Sequence, residues 1–153
     1  MTLDEKFMKI ALKEGEKARL EDEVPIGAIV VVDGKVIARG RNNRERTQNA
    51  INHAEMIAIQ KACKKLKSWR LDKATLYVTI EPCPMCMGAI LNARIPRLVF
   101  GAKDKKGGCC GTLYNLNEGK FNHVCEVVSG VLERRCGEII STYFEEKRRN
   151  KKC

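Results

Sequence analysis

The chain has 153 residues, 44% hydrophobic and 31% charged, with 29 Lys and Arg against 19 Asp and Glu for a formal net charge of +10. This composition suits one globular domain with a real core and excludes a disordered or fibrous chain. No apolar run reaches the ~18 residues of a membrane span, and the charged start Met1-Thr2-Leu3-Asp4-Glu5-Lys6 is unlike a secretory leader, so a cytoplasmic location is expected. Without a leader, the eight cysteines read as metal ligands, small core residues or surface thiols rather than a disulfide framework. The positive excess points to a polyanionic partner such as nucleic acid.

Residues 3–20 place Leu3, Phe7, Ile10, Ala11 and Ala18 at helical spacing, which predicts an amphipathic helix with those residues inward. Val24-Pro25 ends the break after it. Residues 26–32 are a continuous apolar run, hence a buried strand; Asp33-Gly34 is a hairpin turn, and residues 35–41 return. Residues 42–52, rich in Asn, Arg and Gln, read as a loop. Residues 53–66 form a helix with Ile57, Ala58 and Ala62 inward, and Trp69 and Leu71 are expected to pack behind it. Residues 74–80 are a strand, 85–93 a helix whose Met85, Met87, Ile90 and Leu91 are core or subunit contacts, and 96–101 a strand. Strand–helix–strand implies a parallel pair.

Residues 102–111 form a basic, glycine-rich loop at the strand end where α/β sheets bind ligands, and phosphate contact by its lysines and N–H groups is expected. A short helical turn is predicted over 112–116, a loop over 121–123 and a strand over 125–129. A last helix over 131–147 turns Leu132, Cys136, Ile139, Ile140 and Tyr143 inward. The end, Lys147 to Lys152, is basic, either solvated or a salt-sensitive phosphate contact.

Two short stretches carry the chemistry: His53-Ala54-Glu55 and Glu81-Pro82-Cys83-Pro84-Met85-Cys86. His53, Cys83 and Cys86 are three ligands for a zinc ion, and three rather than four leave a tetrahedral position for water, as in catalytic sites. Residues i and i+2 share no helix face. His53 and Glu55 can therefore meet one ion only from the first turn of a helix, and Cys83 and Cys86 are placed at a second helix start. Pro84 suits such a start, and a helix N-terminus favours thiolates. Glu55, a hard oxygen base beside soft ligands, is the proton carrier. Asn42 and Asn43 are either turn formers or, near zinc, a carboxamide that reads the edge of a base.

His-x-Glu followed by Pro-Cys-x-x-Cys is the pattern of zinc nucleobase deaminases. Together with Glu23-Val24-Pro25-Ile26-Gly27-Ala28, Asn42, Arg94-Ile95-Pro96-Arg97, Asp104, Phe121-Asn122-His123 and Tyr143-Phe144, it resembles bacterial tRNA-specific adenosine deaminases of the cytidine-deaminase-like superfamily over nearly the whole chain. The resemblance implies a three-layer α/β/α fold, in which a central mixed five-stranded sheet is flanked by helices. It implies a single deaminase domain over residues 1–153 and one Zn2+ per subunit of a homodimer. The substrate it implies is the wobble adenosine of a tRNA anticodon, typically an arginine tRNA, converted to inosine. By the same resemblance His53, Cys83 and Cys86 hold zinc and Glu55 shuttles protons. Asn42 contacts the base, with Val24 and Ile26 in the pocket wall, and Asp104, Lys106, Asn122, Phe144 and Arg148 contact the anticodon loop. Ala50-Ile51-Asn52 and Met87 depart from the usual residues of that family, and Pro84 also occurs in guanine deaminases. Two other readings remain at this level: a free-base guanine or cytosine deaminase on the same fold, and a non-catalytic zinc module, which would need no Glu55.

Overall fold

The computed structural model describes residues 1–151. Lys152 of the basic end and Cys153 lie outside the described residues. Five strands, β1 Gly27–Val32, β2 Lys35–Arg41, β3 Ala74–Ile80, β4 Arg97–Ala102 and β5 Glu126–Val128, form one sheet in the order β2-β1-β3-β4-β5. β1 is antiparallel to both β2 and β3, whereas β3–β4 and β4–β5 are parallel. The helices are α1 Leu3–Leu20, α2 Arg44–Thr47, α3 Ala54–Leu66, α4 Pro84–Asn92 and α5 Glu133–Lys151. Among the described residues, no helix is long and apolar enough to cross a membrane.

The period of two along each strand sorts the core into two layers. Ala28, Val30, Leu76, Val78, Leu98 and Phe100 pack with Ala58, Ala62, Met87 and Ile90 of α3 and α4. Ile29, Val31, Tyr77 and Val99 face the other way and meet Phe7, Met8 and Ala11 of α1 and Cys136 of α5. This is the expected α/β/α arrangement. Because both faces of the central strands are covered, they read as unbroken apolar runs. At Gly40 of β2 a Cβ would overlap the carbonyl of Ala54, so glycine lets the start of α3 sit directly on the sheet.

Several expectations are corrected. Leu3 is 62% exposed: a side chain at the first helical position points back past the helix start, where nothing covers it. The loop at 42–52 contains the helical turn α2. Residues 112–116 are not helical, because the N–H of Leu113 donates to Gly108 and that of Gly111 to Tyr114, and a Cys110–Asn115 bridge closes the turn. Trp69 is 59% exposed; the guanidinium groups of Arg70 and Arg94 lie over its ring, while Leu71 fills the space behind α3. The last helix starts at Glu133 and runs on to Lys151, with Cys136 and Tyr143 buried and Ile139 and Ile140 only half-buried.

Candidate metal centre and active site

β3 ends at Ile80, and the chain passes through Glu81 and Pro82 to Cys83, the N-cap of α4. Pro84 follows at the first helical position, where a missing N–H costs nothing, and Cys86 lies in the same turn. His53 is the N-cap of α3, and Glu55 is two residues on. Two helix starts therefore converge, as the spacing required. The Nδ1 atom of His53 is 3.6 Å from the sulfur of Cys83 and 3.6 Å from that of Cys86. The three donor atoms lie within 4.8 Å of one another. Tetrahedral zinc, with bonds of ~2.1 Å to nitrogen and ~2.3 Å to sulfur, needs nitrogen and sulfur ~3.6 Å apart. The donor set thus fits zinc in both chemistry and spacing.

The protons of this cluster are unevenly held. The Cys83 thiol is brought down to about 4, first by the hydrogen bond from Cys86 and then by His53, whereas Cys86, which donates to Cys83, is pushed up. His53 is raised by its bond to Cys83. Burial pushes the Glu55 carboxyl up to about 7, against the pull of its own N–H and the nearby His53. A carboxyl group near 7 can both take and give a proton at neutral pH.

Glu81 has a function that the sequence did not disclose. Its buried carboxylate accepts from the N–H groups of Asp104 (3.1 Å), Cys110 (2.9 Å) and Thr112 (3.1 Å) and from the Thr112 hydroxyl. It organises the glycine-rich loop from within, and a Cβ at Gly108 would overlap it. Two loop N–H groups expected to meet phosphate, those of Asp104 and Cys110, are therefore taken by Glu81, and Lys103, Lys105 and Lys106 are left exposed. Asp104 itself accepts from the N–H of Lys106 at 2.9 Å.

Glu23, also buried, accepts from the N–H groups of Glu45 (3.1 Å) and Arg46 (2.7 Å). These are the donors an N-cap side chain would satisfy. The nominal cap, Asn43, makes no such bond, and its buried Oδ1 has no partner among the described residues. Asn42 is buried, donating to the Val24 carbonyl and accepting from the N–H of Arg44, both at 3.3 Å. One amide hydrogen and one lone pair remain for another partner. Val24 and Ile26 are half-buried, and Asn122 is exposed. Phe144 and Arg148 are exposed on α5, across the sheet from α3 and α4. Tyr143 and Lys147 tie that helix to Asp22, in the turn leading to Val24.

A mixed sheet whose β3–α4–β4 unit presents a Cys-x-x-Cys pair to a histidine at a neighbouring helix start defines a nucleobase-type deaminase, and the profile of the MafB19-like deaminase family matches residues 2–148. The chain is 58% identical to the tRNA-specific adenosine deaminase of Bacillus subtilis, covering 99% of this chain and 95% of that one. It is 44% identical to its counterpart in Haemophilus influenzae, over 97% and 87%. The chain belongs to the family of tRNA-specific adenosine deaminases. Among solved structures, a tRNA A34 deaminase studied for A-to-I editing at the wobble position superposes with a TM-score of 0.82 at 44% identity, covering 88% of this chain and 98% of that chain.

Proposed function

We propose that this protein hydrolytically deaminates the wobble adenosine of a tRNA anticodon to inosine, releasing ammonia. The observation that carries this is the 58% identity to a tRNA-specific adenosine deaminase across almost the whole chain. The free-base alternative has less support: the guanine deaminase of Bacillus subtilis is 41% identical over only 65% of this chain, and that of Nitrosomonas europaea, which superposes with a TM-score of 0.81 over 91% of it, is 24% identical and shares the fold alone.

His53 Nδ1 and the sulfurs of Cys83 and Cys86 would hold one zinc ion per subunit. When bound, zinc supplies the Lewis acidity that brings the pKa of water to ~7. Glu55 takes a proton from the attacking water and delivers it to the ring nitrogen beside the carbon under attack. It then takes the remaining proton from the hydroxyl added at that carbon, which becomes the carbonyl, and passes it to the exocyclic amine, which leaves as ammonia. One carboxyl serves both transfers because they occur in sequence. Asn42, with an amide hydrogen and a lone pair free, reads the base edge, and Val24 and Ile26 wall the pocket. Asp104, Lys106, Asn122, Phe144 and Arg148 contact the anticodon loop. A loop base is already unpaired, which lowers the cost of placing it in a pocket. The enzyme acts as one domain, as a homodimer and in the cytoplasm, where tRNA is matured.

The test incubates zinc-loaded protein with an arginine-tRNA anticodon hairpin carrying a wobble adenosine, with guanine, cytosine and free adenosine in parallel. Inosine in the RNA alone is the expected result; ammonia from a free base with untouched RNA would overturn it. Cys86→Ala should bring zinc, measured by elemental analysis, from one per chain to near zero, and full occupancy would remove Cys86 from the ligand set.

A further inference from the structure

Some cations elsewhere on this protein are paired. Arg41 and Arg46 meet Glu21, Arg97 meets Asp4, Arg134 meets Glu138 and Lys147 meets Asp22. The segment from Gln60 to Lys73 differs. It holds Lys61, Lys64, Lys65, Lys67, Arg70 and Lys73 against the single carboxylate of Asp72, a net +5 within 14 residues of a chain whose total is +10. Among the described residues, none of these six cations makes an ion pair. Lys61 instead donates to the Arg39 carbonyl of β2 at 3.2 Å.

An aromatic group sits within this charge. Trp69 is 59% exposed, with the Arg70 guanidinium 4.9 Å and the Arg94 guanidinium 5.9 Å from its ring centre. Arg94 is steadied by the carbonyls of Leu91 and Asn92, not by a carboxylate, so its charge is uncompensated. A helix C-terminus attracts one or two cations through its dipole. That accounts for Lys64 and Lys65, at the last turn of α3, but not for the rest. Mutually repelling cations with no local acid lower stability unless a polyanion meets them.

α3 starts at the metal-ligand cluster and ends at this patch. Thirteen residues at ~1.5 Å each place the two about 20 Å apart. An adenosine seated by Glu55 keeps its neighbouring loop nucleotides close to it. A surface at the far end of α3 meets the RNA elsewhere. We infer that the Lys61–Lys73 segment, Trp69 included, together with Arg94, binds the phosphate backbone of the tRNA outside the anticodon loop. This inference rests on the proposed tRNA substrate. Paired RNA is recognised through its phosphates and shape more than its sequence, and flexible lysines flanking a rigid Trp–Arg stack suit that. Trp69 is a positioning residue, holding two guanidinium groups in place.

The experiment compares wild type with the variant Lys64→Gln, Lys65→Gln, Lys67→Gln, Arg70→Gln, all exposed positions, on two RNAs: a full-length tRNA and its anticodon loop closed by a short stem. The variant should bind full-length tRNA about tenfold more weakly at 0.15 M salt, with a log–log salt slope shallower by about two to three. Its kcat/KM on the short hairpin should equal that of wild type. Trp69→Ala should show a smaller loss of the same kind. Unchanged affinity and slope on full-length tRNA would overturn the inference, as would an equal loss on both RNAs. So would a change in oligomeric state, which would assign the patch to a second copy of the chain. Absence of inosine from wild type on either RNA would instead overturn the activity itself, independently of the variant.

Discussion

Glu55 and Glu81 are both buried carboxylates beside the candidate ligands, and their surroundings drive them in opposite directions. Glu55 lies in the first turn of α3, and burial raises it to about 7 because few donors compensate. Glu81 is opposed by burial too, the largest single effect on it. Yet the Thr112 hydroxyl and the N–H groups of Asp104, Cys110 and Thr112 together bring it below the ordinary carboxylate range. The number of donors aimed at a buried carboxylate, more than burial, decides whether it holds a proton or a charge. One of these residues is suited to moving protons, the other to holding a loop.

The contrast can be broken most directly at Glu55. Glu55→Gln should cut inosine formation by roughly 10²–10⁴-fold, with zinc content and unfolding midpoint near wild type, because one positioned proton carrier is removed and the shape is kept. Near-normal turnover would sink the assignment. Glu81→Gln is the converse change. It turns a four-donor acceptor into a group with its own amide hydrogens facing N–H donors, and should cost about 3 kcal/mol in urea unfolding. A loss of activity without a loss of stability would make Glu81 a participant in the chemistry and erase the distinction.

The pH dependence of that second variant sharpens the comparison. Glu81 is lower in the folded protein than its ordinary value of ~4.3, so its contribution is present above that value and is lost as pH falls through the folded value. The stability gap between wild type and Glu81→Gln should be widest above about pH 5 and narrow below about pH 4. A gap independent of pH would mean that charge has no part in it. Glu23 provides the mildest test. Glu23→Gln keeps one acceptor oxygen for the N–H groups of Glu45 and Arg46 and should cost about 1 kcal/mol, as for loss of a helix cap, with protease cutting near α2 as the local readout.

Much of the scaffold was legible along the chain. The strands at 27–32, 35–41 and 74–80 and the helices α1, α3 and α4 lie within a residue or two of the runs that predicted them, because periodicity and capping act within one or two turns. Leu3 and Trp69 were misplaced because apolar character says a side chain prefers cover, not whether a neighbour arrives to provide it. In the glycine-rich loop, Gly108 looked like part of a phosphate cradle and proved to be where backbone packs against Glu81.

By itself the sequence placed the candidate ligands: the two-residue step from His53 to Glu55 reaches one point only from a first helical turn, and Pro84 marks the helix start that carries Cys83 and Cys86. The tertiary structure alone decided what Glu23 and Glu81 do. Their hydrogen-bond partners lie 22 to 31 residues away, and no local propensity links a carboxylate to an N–H group until the sheet has brought the two segments together.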